Sequence, residues 1–309
     1  MSEPATQQTP EEPEYYTPKS GFLEFGSTSI KFYIMNLSSG QRDNVAREVK
    51  IPWSLGYDVF EHQRISPSTI SRCLAILQEL QREFPEVPFD TVTALGTAAL
   101  REAQNFEVFQ RLLLERLGLR VSIIEGGIEA FLLETGFRDA VESHPTALFD
   151  VGGGSLEFVE YLSSNSTRKT SVPLGAIRLH CRLRHTRDLM EYISEGRRIA
   201  MNTVREQLRP HTAEYEELIG TAGTVRAIVA LVGSDVVTAD DICRLIQREI
   251  HGAVWEELEP HRRRLLLPGL LIIESLFSAF SLSRLVHKTA SVKRGLATLT
   301  QLLPTRRTV

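Results

Sequence analysis

The stretch Asp150-Val151-Gly152-Gly153-Gly154-Ser155-Leu156-Glu157 lies between two apolar runs of strand type, residues 146–149 and 158–162. Three glycines and a serine, with a carboxylate at each end, are more than a plain hairpin requires, since a tight hairpin turns on two residues such as Asn-Gly. Glycines let backbone N–H groups approach a ligand that a side chain would hold off. Successive N–H groups of this kind cradle anions, and flanking carboxylates suit a hard cation such as Mg²⁺ that bridges to phosphate. A phosphate and metal loop is therefore expected here. A smaller copy of the unit precedes it: a strand at 22–25 carrying Glu24, a small-residue turn at 26–29, and a strand at 30–34. Two such copies far apart in the chain imply a duplicated domain facing itself across a cleft.

The segments around these copies alternate between strand and helix patterns. Residues 45–53 complete a three-stranded meander. Residues 68–84 place Ile70, Leu74, Leu77 and Phe84 on one helical stripe with a serine start. A strand at 91–95 leads into 96–101, and Asn105 caps a helix carrying Phe106, Phe109, Leu112, Leu113 and Leu117. A strand at 119–124 precedes a helix opening at Gly127. In the second half a strand at 169–173, helical stretches over 187–208 and a strand at 217–219 follow the glycine hairpin. Gly220-Thr221-Ala222-Gly223-Thr224 reads equally as a phosphate seat at a helix N-terminus or as a tight strand-to-helix connection. Helices at 239–250 and 269–285 and a last strand and helix over 290–303 complete the pattern. Interleaved strands and helices argue for α/β with mixed sheets. Residues 1–18, rich in Pro, Glu, Thr and Gln, read as a disordered tail, with a first domain over 19–137 and a second over 138–309.

A length of 309 residues suits two domains, each with its own core. The net charge of −4 makes no case for nucleic-acid binding, which needs a basic face. Cys73, Cys181 and Cys243 are far apart and form no C-x-x-C pair, so buried thiols in a reducing cytoplasm are expected. The first residues are acidic and polar, unlike a signal peptide. The apolar run 265–277 is interrupted by Pro268 and Glu274 and is too short for a bilayer, so no membrane partner is expected. The histidines show no metal-ligand spacing, and His180 and His185 read as surface or packing groups. No P-loop or dinucleotide fingerprint is present.

Taken together and in order, LEFGSTSIKF (23–32), ALGTAALREAQN (94–105), GGIEA (126–130), DVGGGSLE (150–157), IGTAGTVRA (219–227) and VKRGLATL (292–299) resemble the exopolyphosphatase/guanosine pentaphosphate phosphatase family. That family lies within the superfamily of actin, sugar kinases and heat-shock ATPases. The resemblance implies two RNase H-like domains with an active cleft between them. It also implies Mg²⁺-dependent hydrolysis of the terminal phosphoanhydride of inorganic polyphosphate or guanosine pentaphosphate. Longer relatives carry a further helical domain, so this chain resembles the short, two-domain form, and the analogy allows a homodimer. Carried over by residue, the resemblance makes Glu129 the group that orients or deprotonates the attacking water. Asp150, Glu157 and Glu24 become the metal-holding acids. Gly152, Gly153, Gly154 and Ser155 form the main phosphate loop, with Gly26, Ser27, Ser29 and Lys31 in a first loop and Gly223 and Thr224 in a third. Arg101 is the arginine that reaches the phosphate.

The chain departs from the family pattern at several points. Glu24 stands where Asp is usual, one methylene longer, and Glu125 stands where Ser is usual. Arg294 occupies a place where an acid is common. In His261-Arg262-Arg263-Arg264-Leu265, an acid is usual in the family at Arg262 and at Leu265, and the Arg run itself reads as a solvated helix face, with contact to an anionic substrate or partner as the alternative. These departures leave a second reading: a catalytically weakened regulatory protein of the same fold that binds polyphosphate or nucleotide.

Overall fold

The computed structural model describes residues 19–36, 45–53, 55–142, 144–164, 166–208, 215 and 217–289. The expected tail at 1–18 and the final strand and helix over 290–303, with Arg294, lie outside the described residues.

The first half runs β1 (Lys19–Phe25), β2 (Ser29–Asn36), β3 (Val45–Pro52), α1 (Leu55–His62), α2 (Pro67–Glu83), β4 (Thr93–Gly96), α3 (Ala98–Glu102), α4 (Phe106–Leu117), β5 (Val121–Ile123) and α5 (Gly126–Phe137). The second runs β6 (Thr146–Val151), β7 (Leu156–Ser163), β8 (Ser166–Val172), α6 (Ala176–Leu183), α7 (Leu189–Leu208), β9 (Glu217–Thr221), α8 (Ala222–Val232), β10 (Val236–Thr238), α9 (Ala239–Ile250), α10 (Pro260–Phe280) and β11 (Arg284–His287).

The strands form two sheets, ordered β3-β2-β1-β4-β5 and β10-β11-β9-β6-β7-β8. In each, an antiparallel meander is extended by parallel strands on the side of its first member. The expected duplication is therefore present in the topology, with β10 as an added antiparallel edge on the second sheet. Each sheet has its own apolar core. Phe25, Trp53 and Phe109 pack ring against ring in the first, while Phe149, Phe158, Leu271 and Ile272 belong to the second. The expected boundary at 137/138 falls at the end of α5. This helix lays Leu133 and Phe137 on Leu148, Val159 and Ile219 of the second sheet, while Leu132 packs with Phe22, Tyr33 and Leu95 of the first.

Local chemistry explains most of the element ends. Ser66 accepts from the Thr69 amide ahead of Pro67 and starts α2, two residues before the expected serine. Gly118 closes α4 at φ 64°. Thr238 and Asp241 form a capping box on α9. Asn105 occupies the N-cap position of α4, but its side chain bonds the backbone of Ile65 and not the helix.

Five elements were not legible in the sequence pattern: α1, α3, α6, β10 and β11. The helix expected at 269–285 begins instead at Pro260 and ends at Phe280, with Pro268 in its interior. A proline removes one N–H and displaces one carbonyl, here that of Arg264. Arg264 is exposed, so water can satisfy that carbonyl. Cys73 and Cys181 are buried as expected, but Cys243 is exposed. His180 packs between Tyr57 and Tyr192, the latter at 3.0 Å from its Nδ1. Among the described residues no helix is long and apolar enough to cross a membrane.

Candidate active site

The two glycine-containing turns are built alike. The Gly26 amide donates to the Ser29 carbonyl at 3.1 Å, and the Gly152 amide donates to the Ser155 carbonyl at 3.0 Å. Each turn is then gripped by the helix that follows its meander. The Gly56 amide of α1 donates to Ser27 at 2.8 Å, and the Ile177 amide of α6 donates to Gly153 at 2.9 Å. Neither helix was foreseen, yet they are the pair that holds the loops. The two loops also press on one another. A Cβ at Gly154 would lie 2.6 Å from Ser27 Oγ and 2.9 Å from Ala98 Cβ, which explains the glycine there by close approach. The third loop is tied to the second sheet by Thr224, whose Oγ1 donates to the Val151 carbonyl at 2.8 Å.

Between the loops lies a cleft open to solvent. Its walls include Glu24, Gly26, Ser27, Ser29, Lys31, Glu129, Asp150, Gly152, Gly153, Gly154, Ser155, Glu157, Gly223 and Thr224. Arg101 is not part of this wall. It donates to the Ile124 carbonyl and its Nη2 lies 3.5 Å from Glu129, so it meets the cleft through that carboxylate. Glu125, the other departure in this region, is exposed at the N-cap of α5 and lies outside the cleft wall.

Strand register explains how the acids meet. Asp150 on β6 pairs directly with Glu157 on β7, and Glu157 pairs with Ser171 on β8, whose hydroxyl donates to it at 3.0 Å. In the first sheet the equivalent row is Glu24, Lys31 and Lys50 on β1, β2 and β3. Lys31 Nζ donates to Glu24 Oε1 at 2.7 Å, so the longer acid at position 24 has a resident cation. Glu129 comes from the first turn of α5 and is mostly shielded from solvent.

This concentration of acid in a shielded space disfavours the charged forms. Burial first, and Glu157 second, push Asp150 up to about 7. Glu129 and Glu157 are raised together, first by burial. Arg101 works against the shift at Glu129, and Glu129 adds to it at Glu157. One buried oxygen of each of Glu24, Glu129 and Asp150 has no hydrogen-bond partner. The Glu129 oxygen is the one that meets Arg101 at 3.5 Å, whereas those of Glu24 and Asp150 are of the kind a hard cation would satisfy. Among the described residues no three His, Cys, Asp or Glu side chains converge closely enough to chelate a metal alone. A cation of the Mg²⁺ type, which binds through one or two carboxylates and completes its shell with substrate oxygens and water, would suit so incomplete a set.

The cleft has cationic members to which the motifs assign no role: Lys50, Arg226, although it lies within IGTAGTVRA, and Arg262. Lys50 is pulled down to about 8, first by burial and then by repulsion from Arg262, Lys31 and Arg226. Of the two readings of the Arg run, the solvated face is corrected at Arg262, which lines the cleft. Because α10 starts at Pro260, the spacing i, i+3, i+4 puts Arg262, Leu265 and Leu266 on one side, facing the cleft. Arg262 Nη1 donates to the Gly223 carbonyl at 2.8 Å. Arg263 binds the Leu258 carbonyl, and Arg264 remains exposed. Lys50 could have been found from the meander register, which sets it opposite Lys31.

A model of the Ppx/GppA phosphatase family matches residues 36–302. Among solved structures, an exopolyphosphatase from Cytophaga hutchinsonii has a TM-score of 0.75 at 24% identity, over 93% of this chain and 99% of its own. A Ppx/GppA family member from Aquifex aeolicus has a TM-score of 0.69 at 20% identity, over 94% and 99%. An exopolyphosphatase-like protein gives 0.77 at 21% identity, over 92% and 100%. These likenesses share the two-domain fold, and the family match spans Glu129, Asp150, Glu157 and the third loop. On that match the chain belongs to the Ppx/GppA phosphatase family.

Proposed function

We propose that the protein is a Mg²⁺-dependent hydrolase that releases the terminal phosphate of inorganic polyphosphate or guanosine pentaphosphate. The observation that carries this reading is the buried oxygen without a hydrogen-bond partner on each of Glu24 and Asp150, beside Glu129, whose Oε2 meets only Arg101 at 3.5 Å, with paired glycine loops in the same cleft. Phosphoryl transfer to water asks the protein mainly to position groups and neutralise charge. The glycine loops and Ser27, Ser29 and Ser155 would seat the terminal phosphate. Lys31 supplies positive charge beside it. Glu129 takes the proton from the attacking water. Its raised proton affinity places it near neutrality, where a general base is most effective, and Arg101 at 3.5 Å holds its orientation. Asp150 and Glu157 would hold Mg²⁺, with Glu24 acting through water, and the ion would supply neutralisation of the phosphate oxygens.

Phosphate release from both substrates, with and without Mg²⁺, tests the reading in wild type and Glu129→Ala. Mg²⁺-dependent release abolished in the variant supports it. The Lys31–Glu24 pair favours the second reading, a weakened, ligand-binding regulator, because it already engages one of the expected metal acids. Tight binding of polyphosphate or nucleotide without turnover would establish that reading.

A further inference from the structure

Lys31 and Lys50 stand directly opposite each other on β2 and β3. Like charges in that arrangement repel, and the pair is destabilising unless an anion lies between or above them. The matching row of the second sheet, Asp150, Glu157 and Ser171, carries no cation. The two matching strand rows thus differ in charge. The second domain adds Arg226 from α8 and Arg262 from the first turn of α10 to the basic side. Among the described residues Lys50 and Arg226 have no hydrogen-bonded or ion-paired partner. Arg262 has the Gly223 carbonyl and a distant Glu259 at 4.0 Å. Lys31 is already matched by Glu24, whereas among the described residues no carboxylate is hydrogen-bonded to Lys50, Arg226 or Arg262.

We propose that Lys50, Arg226 and Arg262 form a second anion subsite. It holds the phosphate groups that precede the terminal one in an inorganic polyphosphate chain. The inference rests on the hydrolase reading for the place of the terminal phosphate, and it chooses between the two substrates that reading leaves open. A nucleoside at this position would ask for a flat apolar or aromatic face and groups that read the base edge. Among the described residues lining the cleft there is no Phe, Tyr or Trp. Point charges contributed by both domains suit a chain whose repeating unit is an anion. Arginine supplies a planar fork and lysine a mobile ammonium, and both bind phosphate oxygens through charge-assisted hydrogen bonds.

The test is calorimetric titration of the full chain carrying Glu129→Gln, which slows turnover about 10² to 10⁴-fold. Orthophosphate, inorganic tripolyphosphate and guanosine pentaphosphate are titrated in the presence of Mg²⁺. Lys50→Ala, Arg226→Ala and Arg262→Ala are then added singly on that background. The expected result is tighter binding of tripolyphosphate than of orthophosphate. Each substitution should weaken tripolyphosphate binding about tenfold, as for the loss of a hydrogen bond to a charged group, with orthophosphate affinity unchanged. Added salt should weaken tripolyphosphate binding less steeply in each variant. Variants that bind tripolyphosphate like their parent would overturn the subsite, as would guanosine pentaphosphate binding tenfold tighter than tripolyphosphate. A wild-type chain that releases no phosphate, while its three cations still hold tripolyphosphate, would remove the hydrolase reading and leave the subsite standing. Phosphate release with unaltered binding in the three variants would do the reverse.

Discussion

Arg178 on α6 donates to both carboxylate oxygens of Glu102 on α3, at 2.8 and 2.5 Å, and so clasps the second domain to the first. Its Nε donates to the Gly154 carbonyl at 2.6 Å, and its guanidinium lies 4.1 Å from the ring centre of Phe60. One buried cation therefore links the main phosphate loop to two helices of the other domain. Glu102 is half exposed, which tempers the energy of the pair.

Removing either partner should loosen this clasp. Glu102→Ala is expected to cost about 1–3 kcal/mol in urea unfolding, because the Arg178 guanidinium loses two charge-assisted bonds. Arg178→Lys should not restore stability, since an ammonium cannot bond Gly154 and both Glu102 oxygens in one plane. A double-mutant cycle with no coupling between positions 102 and 178 would contradict the assignment.

Gly154→Ala should open or destabilise the cleft. The added methyl would meet Ser27 Oγ at 2.6 Å, Phe60 Cζ at 2.7 Å and Ala98 Cβ at 2.9 Å. Overpacking of this kind costs about 1–3 kcal/mol. Because the contacts lie between domains, small-angle scattering should also report a more open shape. Unchanged stability and shape would contradict this account.

Glu129→Gln should lower turnover about 10² to 10⁴-fold, the usual contribution of a positioned base. The same change should raise stability near pH 8, because it removes a carboxylate that burial holds well above its ordinary proton affinity. Loss of both activity and stability would mark Glu129 as structural.

The acids of the cleft also set the direction of a pH effect. The folded chain holds a proton on Asp150 up to about pH 7, and Glu129 and Glu157 are raised as well, whereas unfolded carboxylates release theirs near pH 4. The folded state thus binds more protons in that interval, and its stability falls as pH rises through it. In EDTA the melting temperature should drop between about pH 5 and pH 8. Added Mg²⁺ should restore it at the upper end and do little at the lower end. A Mg²⁺ effect of equal size at both ends would show that these acids do not bind the cation.

Lys31→Met should separate the resident cation from the added one. Without the 2.7 Å bond to Lys31, Glu24 is free to engage a divalent ion. Thermal-shift titration is expected to show a less stable cation-free protein and a tighter Mg²⁺ response. Glu24→Asp, which draws the carboxylate back by one methylene, should move the Mg²⁺ response in the same direction. A weaker response in both would mean that Lys31 supports cation binding.

Much of this architecture is written locally. The glycine turns, the acids flanking them and the capped helix α9 follow from neighbouring residues, because backbone freedom and capping act over a few positions. The duplicated meander was visible for the same reason, and so were the members of the three loops. The helices α1 and α6 were not visible, although each grips a glycine turn. They are only eight residues long, and their amides gain partners only after the meander has folded. Pro268 also concealed the true start of α10, since a proline reads as a break when the exposure of the carbonyl it displaces is unknown.

The sequence by itself determined the fold class, the loop residues and the acids, since these depend on short-range patterns. Only the tertiary structure decided which charges share a space. Lys31 and Lys50 face each other through strand register, and Arg226 and Arg262 join them from helices of the other domain. Coulomb energy depends on distance and shielding and not on separation along the chain, so this meeting of cations could be seen only in the folded molecule.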